Sequence, residues 1–201
     1  MRALLYVLPL LLLAGCATTG APPSEPNNLC AIFRQRPAWY QAAIHAQEKW
    51  GVPPQVPMAI MYQESSFRAK ALPPRYYALG FIPWGRVSSA YGYAQAKDDT
   101  WADYQRDAGS WFSDRDDFDD AMDFMGWYIS KTQKIDGVSK WDAYNQYLAY
   151  HEGWTGYRQR SYTRKPWLMR VARRVQERAE RFGAQYRGCE KQLSAADGSF
   201  G

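Results

Sequence analysis

The sequence predicts a single, mainly helical domain with room for one small β-hairpin in its middle. Three observations lead there. Apolar residues recur at three- and four-residue spacing through most of the chain, whereas residues 68–91 break that rhythm with Pro73, Pro74, Gly80, Pro83 and Gly85 among several aromatics. A length of 201 residues fits one domain with a sizeable core. A composition 46% apolar and 16% aromatic excludes a disordered chain.

Residues 1–15 open with Arg2 and an apolar run from Ala3 to Leu12. The run is too short for a hydrocarbon core about 30 Å thick, so it reads as an export signal rather than a span. It closes on Leu13-Ala14-Gly15-Cys16, which resembles a bacterial lipobox. The resemblance implies cleavage before Cys16, acylation of its sulfur and of the new amine, and anchoring in a lipid bilayer. Each buried methylene adds about 0.8 kcal/mol, so several acyl chains hold far more firmly than one. Ala17 stands where an Asp would favour the inner membrane, so the resemblance implies the outer membrane, with the domain on the periplasmic face.

Residues 16–36 then read as the lipidated cysteine and a flexible tether, with Pro22, Pro23, Ser24, Pro26, Asn27 and Asn28 as spacer. The domain proper is expected over 37–187 and a tail over 188–201. Export leads to an oxidising compartment, so the two remaining thiols, Cys30 and Cys189, are expected to pair. Closing so long a loop stabilises by roughly 4–5 kcal/mol on a chain-entropy estimate. His45 and His151 are the only histidines, and no Cys/His cluster suggests zinc.

The first helix is predicted from Pro37 to Trp50, with Trp39, Ala43, Ala46 and Trp50 on one stripe and Gly51 and Pro53 as stops. A second starts near Pro57 and ends around Phe67. A third starts after Ser113 as cap, with Asp114, Asp116 and Asp117 in the first turn and Phe118, Ala121, Met122, Met125 and Ile129 facing inward. These aspartates lack the central Gly and trailing Glu of an EF-hand loop, which favours capping over calcium. A fourth covers Trp141 to about Glu152 with Gly153 as stop. The last begins near Pro166, with Leu168, Val171, Ala172, Val175, Ala179 and Phe182 inward and Arg170, Arg173, Arg174, Arg178 and Arg181 outward. That arginine face is either solvated or set against an anionic wall or lipid surface.

A net charge of +5 favours anionic partners: nucleic acid, anionic lipid or an anionic cell-wall polymer. Nucleic acid is set aside, because no basic run precedes the exported part. Nine Trp and 15 Tyr, each an apolar body with a polar tip, suit a groove that grips sugars, or equally an aromatic core.

Glu64 is the candidate general acid. It lies at the end of a short apolar helix pattern, in Tyr62-Gln63-Glu64-Ser65-Ser66-Phe67. The negative end of a helix and the apolar Met61, Tyr62 and Phe67 both disfavour ionising its carboxyl. By periodicity alone, an exposed helical Glu without a role fits as well. Two further segments change the weighting: Gly92-Tyr93-Ala94-Gln95, then Tyr147-Leu148-Ala149-Tyr150-His151-Glu152-Gly153.

In this order the three segments resemble the motifs of soluble-lytic-transglycosylase-type enzymes. That family reads Glu-Ser-x-Phe after an apolar helix, then Gly-Leu-Met-Gln, then Ala-Tyr-Asn-x-Gly. The resemblance covers about residues 38–182. It implies a lysozyme-like, mainly α fold that cleaves the β-1,4 bond between N-acetylmuramic acid and N-acetylglucosamine in peptidoglycan strands, closing a 1,6-anhydro ring without water. Carried over, Glu64 would protonate the glycosidic oxygen and then take the proton from the C6 hydroxyl. The family uses the sugar's own N-acetyl group where most glycosidases use a second carboxylate, so no catalytic Asp is assigned. Gln95 and Tyr150 would contact the substrate, with Ser65, Tyr93, His151 and Glu152 as further candidates from the same motifs. Neither a metal nor an organic cofactor is implied.

The sequence departs from the pattern at several places. Ala94 replaces the family's Met, which would reshape a sugar subsite. His151 replaces its Asn. Glu152 follows, where it could raise the pKa of Glu64 or activate water in a goose-type-lysozyme-like hydrolase. The interval between Glu64 and Gln95 is longer than usual. It leaves Ser88 or Ser89 for the family's loop serine and offers Tyr76, Tyr77, Phe81, Trp84 and Tyr91 as an extra groove wall or lid.

Overall fold

A computed structural model describes residues 20–79 and 81–198; the expected export signal and Cys16 lie outside the described residues. Among the described residues, seven α-helices and one two-stranded antiparallel sheet follow in chain order: α1 (Leu29–Gln35), α2 (Pro37–Trp50), α3 (Gln55–Ser65), β1 (Arg75–Ala78), β2 (Ile82–Arg86), α4 (Asp98–Asp107), α5 (Phe118–Asp136), α6 (Ala143–Arg158) and α7 (Pro166–Asp197). The fold is mainly helical, with the small hairpin where the broken rhythm placed it.

Helix α3 is the hub. Val56, Met58, Ala59, Ile60 and Met61 are all buried, so the helix is apolar all round rather than striped. It packs against α5, α6 and α7. It ends abruptly: Ser66 and Phe67 both adopt left-handed backbone, at φ 52° and 59°. Such conformations cost non-glycine residues roughly 1–3 kcal/mol each and persist only where packing dictates them. Here the fully buried Phe67 ring, set against Trp39 and Tyr62, holds the turn.

Helix α2 matches its predicted span, with Gly51 closing it at φ 64°. Around it the structure corrects the sequence reading. Residues 29–35, assigned to the tether, form α1: the Asn28 side chain caps the helix by accepting from Ala31 N, and Leu29, Ile32 and Phe33 are buried. Seven residues cannot hold a helix alone, so α1 depends on docking against α7. The disulfide Cys30–Cys189 ties it there, with 6.1 Å between Cα atoms. The spacer ahead of it is also packed down. Pro23 is buried, Ser24 bonds Gln35, and Arg36 donates to Ala21 O at 3.0 Å.

Helix α7 runs to Asp197, so most of the expected tail continues the helix. Leu168, Ala172, Val175, Ala179, Phe182, Tyr186, Cys189 and Leu193 form one uninterrupted buried stripe. Arg178 leaves the outer face, stacking 3.5 Å from the Tyr62 ring centroid and bonding Asn27; Arg170, Arg173, Arg174 and Arg181 stay exposed. Asp117, not Ser113, caps α5, accepting from Asp119 N and Asp120 N. Asp142 caps α6, and Trp141, expected on its buried face, is exposed. Gly153, the predicted stop, breaks α6 at φ 71°, ψ 161°, after which the helix resumes. Helix α4 was not foreseen; only Trp101 and Tyr104 are buried in it, too few to mark a stripe.

Candidate active site

The last turn of α3 delivers Glu64 to a cavity of about 410 Å³. Gln95 closes one side. Tyr128, Tyr150, His151, Glu152 and Gly153 form the α5–α6 wall, and Lys97, Asp99 and Thr100 enter from the start of α4. Burial pushes the Glu64 carboxyl up to about 7, and a hydrogen bond from the Tyr147 hydroxyl works against that rise. Near neutral pH the group therefore exists in both forms, as a residue that first gives and then takes a proton requires.

Tyr147, on α6, is the site residue that the motif comparison missed. Its hydroxyl lies close enough to Glu64 to favour the carboxylate, and burial followed by the Glu64 charge pushes its own ionisation well up. It lies one helical turn before Tyr150, a spacing that puts both rings on one face of α6. Tyr150 is committed to structure: its hydroxyl donates to Ala94 O at 2.5 Å and its ring meets Tyr128 edge-on at 4.9 Å. It thus clamps the 92–95 turn onto α6, beside Glu64.

That turn has its own logic. Gly92 sits at φ 80°, and a Cβ there would fall 1.9 Å from Arg115 O, so only glycine fits. Gln95 also adopts left-handed backbone, at φ 54°, which points its side chain into the cavity. Its Nε2 donates to Ala71 O at 2.9 Å and Gly92 O at 3.0 Å, fixing the amide. Ala94 is buried and gives its carbonyl to Tyr150; it is not a wall of the cavity, so its lost Met volume falls in the core.

Glu152 lies on the cavity wall but is not a free base. Its side chain is 3% exposed and accepts from Lys165 Nζ at 2.7 and 3.1 Å, from Ser161 Oγ, and pairs with His151 Nδ1 at 2.9 Å. Burial favours its neutral form, but the Lys165, Ser161 and His151 contacts outweigh it and pull the carboxyl down to about 2. Its charge is spent on Lys165 rather than on raising Glu64. His151 is exposed at the rim, 5.3 Å from the Trp167 ring.

Two motif residues do not reach the cavity. Ser65 is buried and donates to Met61 O at 3.1 Å. Tyr93 is a core residue between Trp39 and Phe118, at 5.6 and 5.2 Å between ring centroids, and borders a separate cavity of about 660 Å³ that lacks Glu64. Ser88 and Ser89 are turn residues: their hydroxyls accept from Ala90 N and Asp98 N. Among the described residues, no group of His, Cys, Asp and Glu could hold a metal ion, and no helix is long and apolar enough to cross a membrane.

A protein-family model described as transglycosylase SLT domain matches residues 4–189. No curated protein and no solved structure matches the chain.

Proposed function

The chain belongs to the transglycosylase SLT domain family, enzymes of the transglycosylase type acting on peptidoglycan, and from that premise we propose that it is a membrane-bound lytic transglycosylase. It cleaves the β-1,4 bond between N-acetylmuramic acid and N-acetylglucosamine and leaves 1,6-anhydro-muramoyl ends. The observation that carries this reading is the pairing of one carboxyl near pKa 7 with a second already tied up. Glu64 can exchange a proton at neutral pH, whereas Glu152 is ionised and saturated by Lys165, Ser161 and His151.

In the first step Glu64, protonated, gives its proton to the glycosidic oxygen as the bond to the muramoyl C1 breaks. The resulting carboxylate then accepts the C6 hydroxyl proton as that oxygen closes on C1. The same residue is acid and then base, so no second carboxylate is required. Tyr147 holds the carboxyl in place through both steps. Gln95, with its N–H donors fixed to the backbone, offers its amide oxygen to an acetamido N–H. The chain is anchored through acylated Cys16 on the periplasmic face of the outer membrane, an assignment resting on the Leu13-Ala14-Gly15-Cys16 resemblance.

The test is digestion of purified sacculi followed by mass spectrometry of the new sugar ends. Anhydro-muramoyl ends support the proposal. Reducing ends would make the enzyme a goose-type-lysozyme-like hydrolase. Binding without cleavage would make the chain a non-catalytic wall-binding lipoprotein.

A further inference from the structure

The β1–β2 hairpin stands apart from the domain it interrupts. Its substantial packing is strand against strand, with Arg75 opposite Arg86 at its base. At and near its tip Leu79 is 83% exposed, Phe81 73% and Trp84 77%. Isolated exposed apolar residues are ordinary, but three within six positions on one projection mark a contact surface.

The segment that carries it is charged in one sense. From Ser65 to Lys97 the sequence has five cations, Arg68, Lys70, Arg75, Arg86 and Lys97, and no Asp or Glu. This one segment therefore carries a net charge equal to that of the whole chain, +5. Among the described residues, none of the five forms an ion pair.

The chain leading in from Cys16 joins the domain close to this segment. Gly20 lies against Ala69, and from Ala21 onward the chain is fastened to α1 and α2 through Arg36 and Gln35. Only three residues separate Gly20 from Cys16, and the four chain steps reach at most about 14 Å. The hairpin begins six residues after Ala69, at most about 21 Å further along the chain.

We propose that this hairpin is a second membrane contact, with Leu79, Phe81 and Trp84 entering the interface of an anionic phospholipid bilayer and the hairpin's own Arg75 and Arg86 meeting its headgroups. Trp and Phe favour that interfacial depth, and each nearby Lys or Arg adds attraction to anionic lipid. Aliphatic Leu79 offers a glycan nothing to hydrogen-bond, which distinguishes this surface from a sugar platform. The inference rests on acylation of Cys16, which brings the domain to the bilayer. A short, fastened tether and an inserted hairpin then hold the domain against the lipid in one orientation.

The test uses the full acylated lipoprotein carrying Leu79→Cys, labelled with an environment-sensitive fluorophore. With Cys16 acylated and Cys30 joined to Cys189, position 79 presents the single reactive thiol. The protein is reconstituted into phosphatidylglycerol-containing vesicles with or without brominated acyl chains. The expected result is a blue-shifted label emission that brominated chains quench, with quenching weakened in neutral vesicles. A protein that floats with the vesicles while its label stays unquenched overturns the hairpin contact and leaves the anchor intact. Failure to float overturns both. Emission that responds to sacculi and not to lipid overturns the proposal and assigns the hairpin to the glycan.

Discussion

The Tyr147 hydroxyl of α6 stands beside the Glu64 carboxyl at the end of α3 and favours its ionised form, at the point where the chemistry is proposed. That interaction stabilises the carboxylate and so opposes the burial that raises its pKa. Removing it should therefore alter both the position of the acid and its titration.

Tyr147→Phe tests this. The Glu64 acid must be protonated in the free enzyme, so kcat/KM should fall as pH rises through about 7. In the Phe variant the fall should move to higher pH, while kcat drops about tenfold or more through looser placement of the carboxyl. An unmoved pH profile would mean that Tyr147 only fills space.

The Glu152–Lys165 pair is structural on this account. Lys165→Met should leave the buried Glu152 without its full cation, held only by Ser161 and His151, and destabilise the fold by about 2–3 kcal/mol. That is less than the 3–5 kcal/mol of fully buried pairs, because Lys165 is 40% exposed. Because the folded-state pKa of Glu152 is depressed to about 2, the stabilisation exists above the unfolded value near 4.5 and is lost as pH falls toward 2. Chemical denaturation at pH 3 and pH 6 should show the variant's deficit mainly at pH 6.

Glu64 has the opposite sign. Its raised pKa means that folding is favoured below about 4.5 and loses stability as pH rises through about 7. Glu64→Gln removes that penalty, so the variant should be more stable than the parent by roughly 2–3 kcal/mol at pH 8 and about equal to it at pH 4. Thermal melts at the two pH values decide it, and equal stability at both would place Glu64 in a more hydrated site than described.

The place of Glu64 at the cavity was legible because the apolar run before it reads as a buried helix and the motif order singles it out. Tyr147 was not, since its role depends on how α3 crosses α6 and on no spacing within either helix. Ser65 and Tyr93 were misplaced for a related reason: neighbours of a site residue in sequence point away from it when the chain turns, as it does at Ser66–Phe67 and at Gly92. Helix α1 escaped notice because its stability comes from α7 and the disulfide, 159 positions away. The hairpin could be placed only roughly, because Pro and Gly show where regular helix stops and not which strands pair.

The most direct test of the account is anhydro-muramoyl release from sacculi by the parent protein and by Glu64→Gln, with folding of both verified by thermal melts. The account predicts release by the parent and a loss of at least about a thousandfold in the variant, at the upper range of a single acid/base contribution because one residue serves both steps. Anhydro-muramoyl release by a folded Glu64→Gln protein at a comparable rate would contradict it.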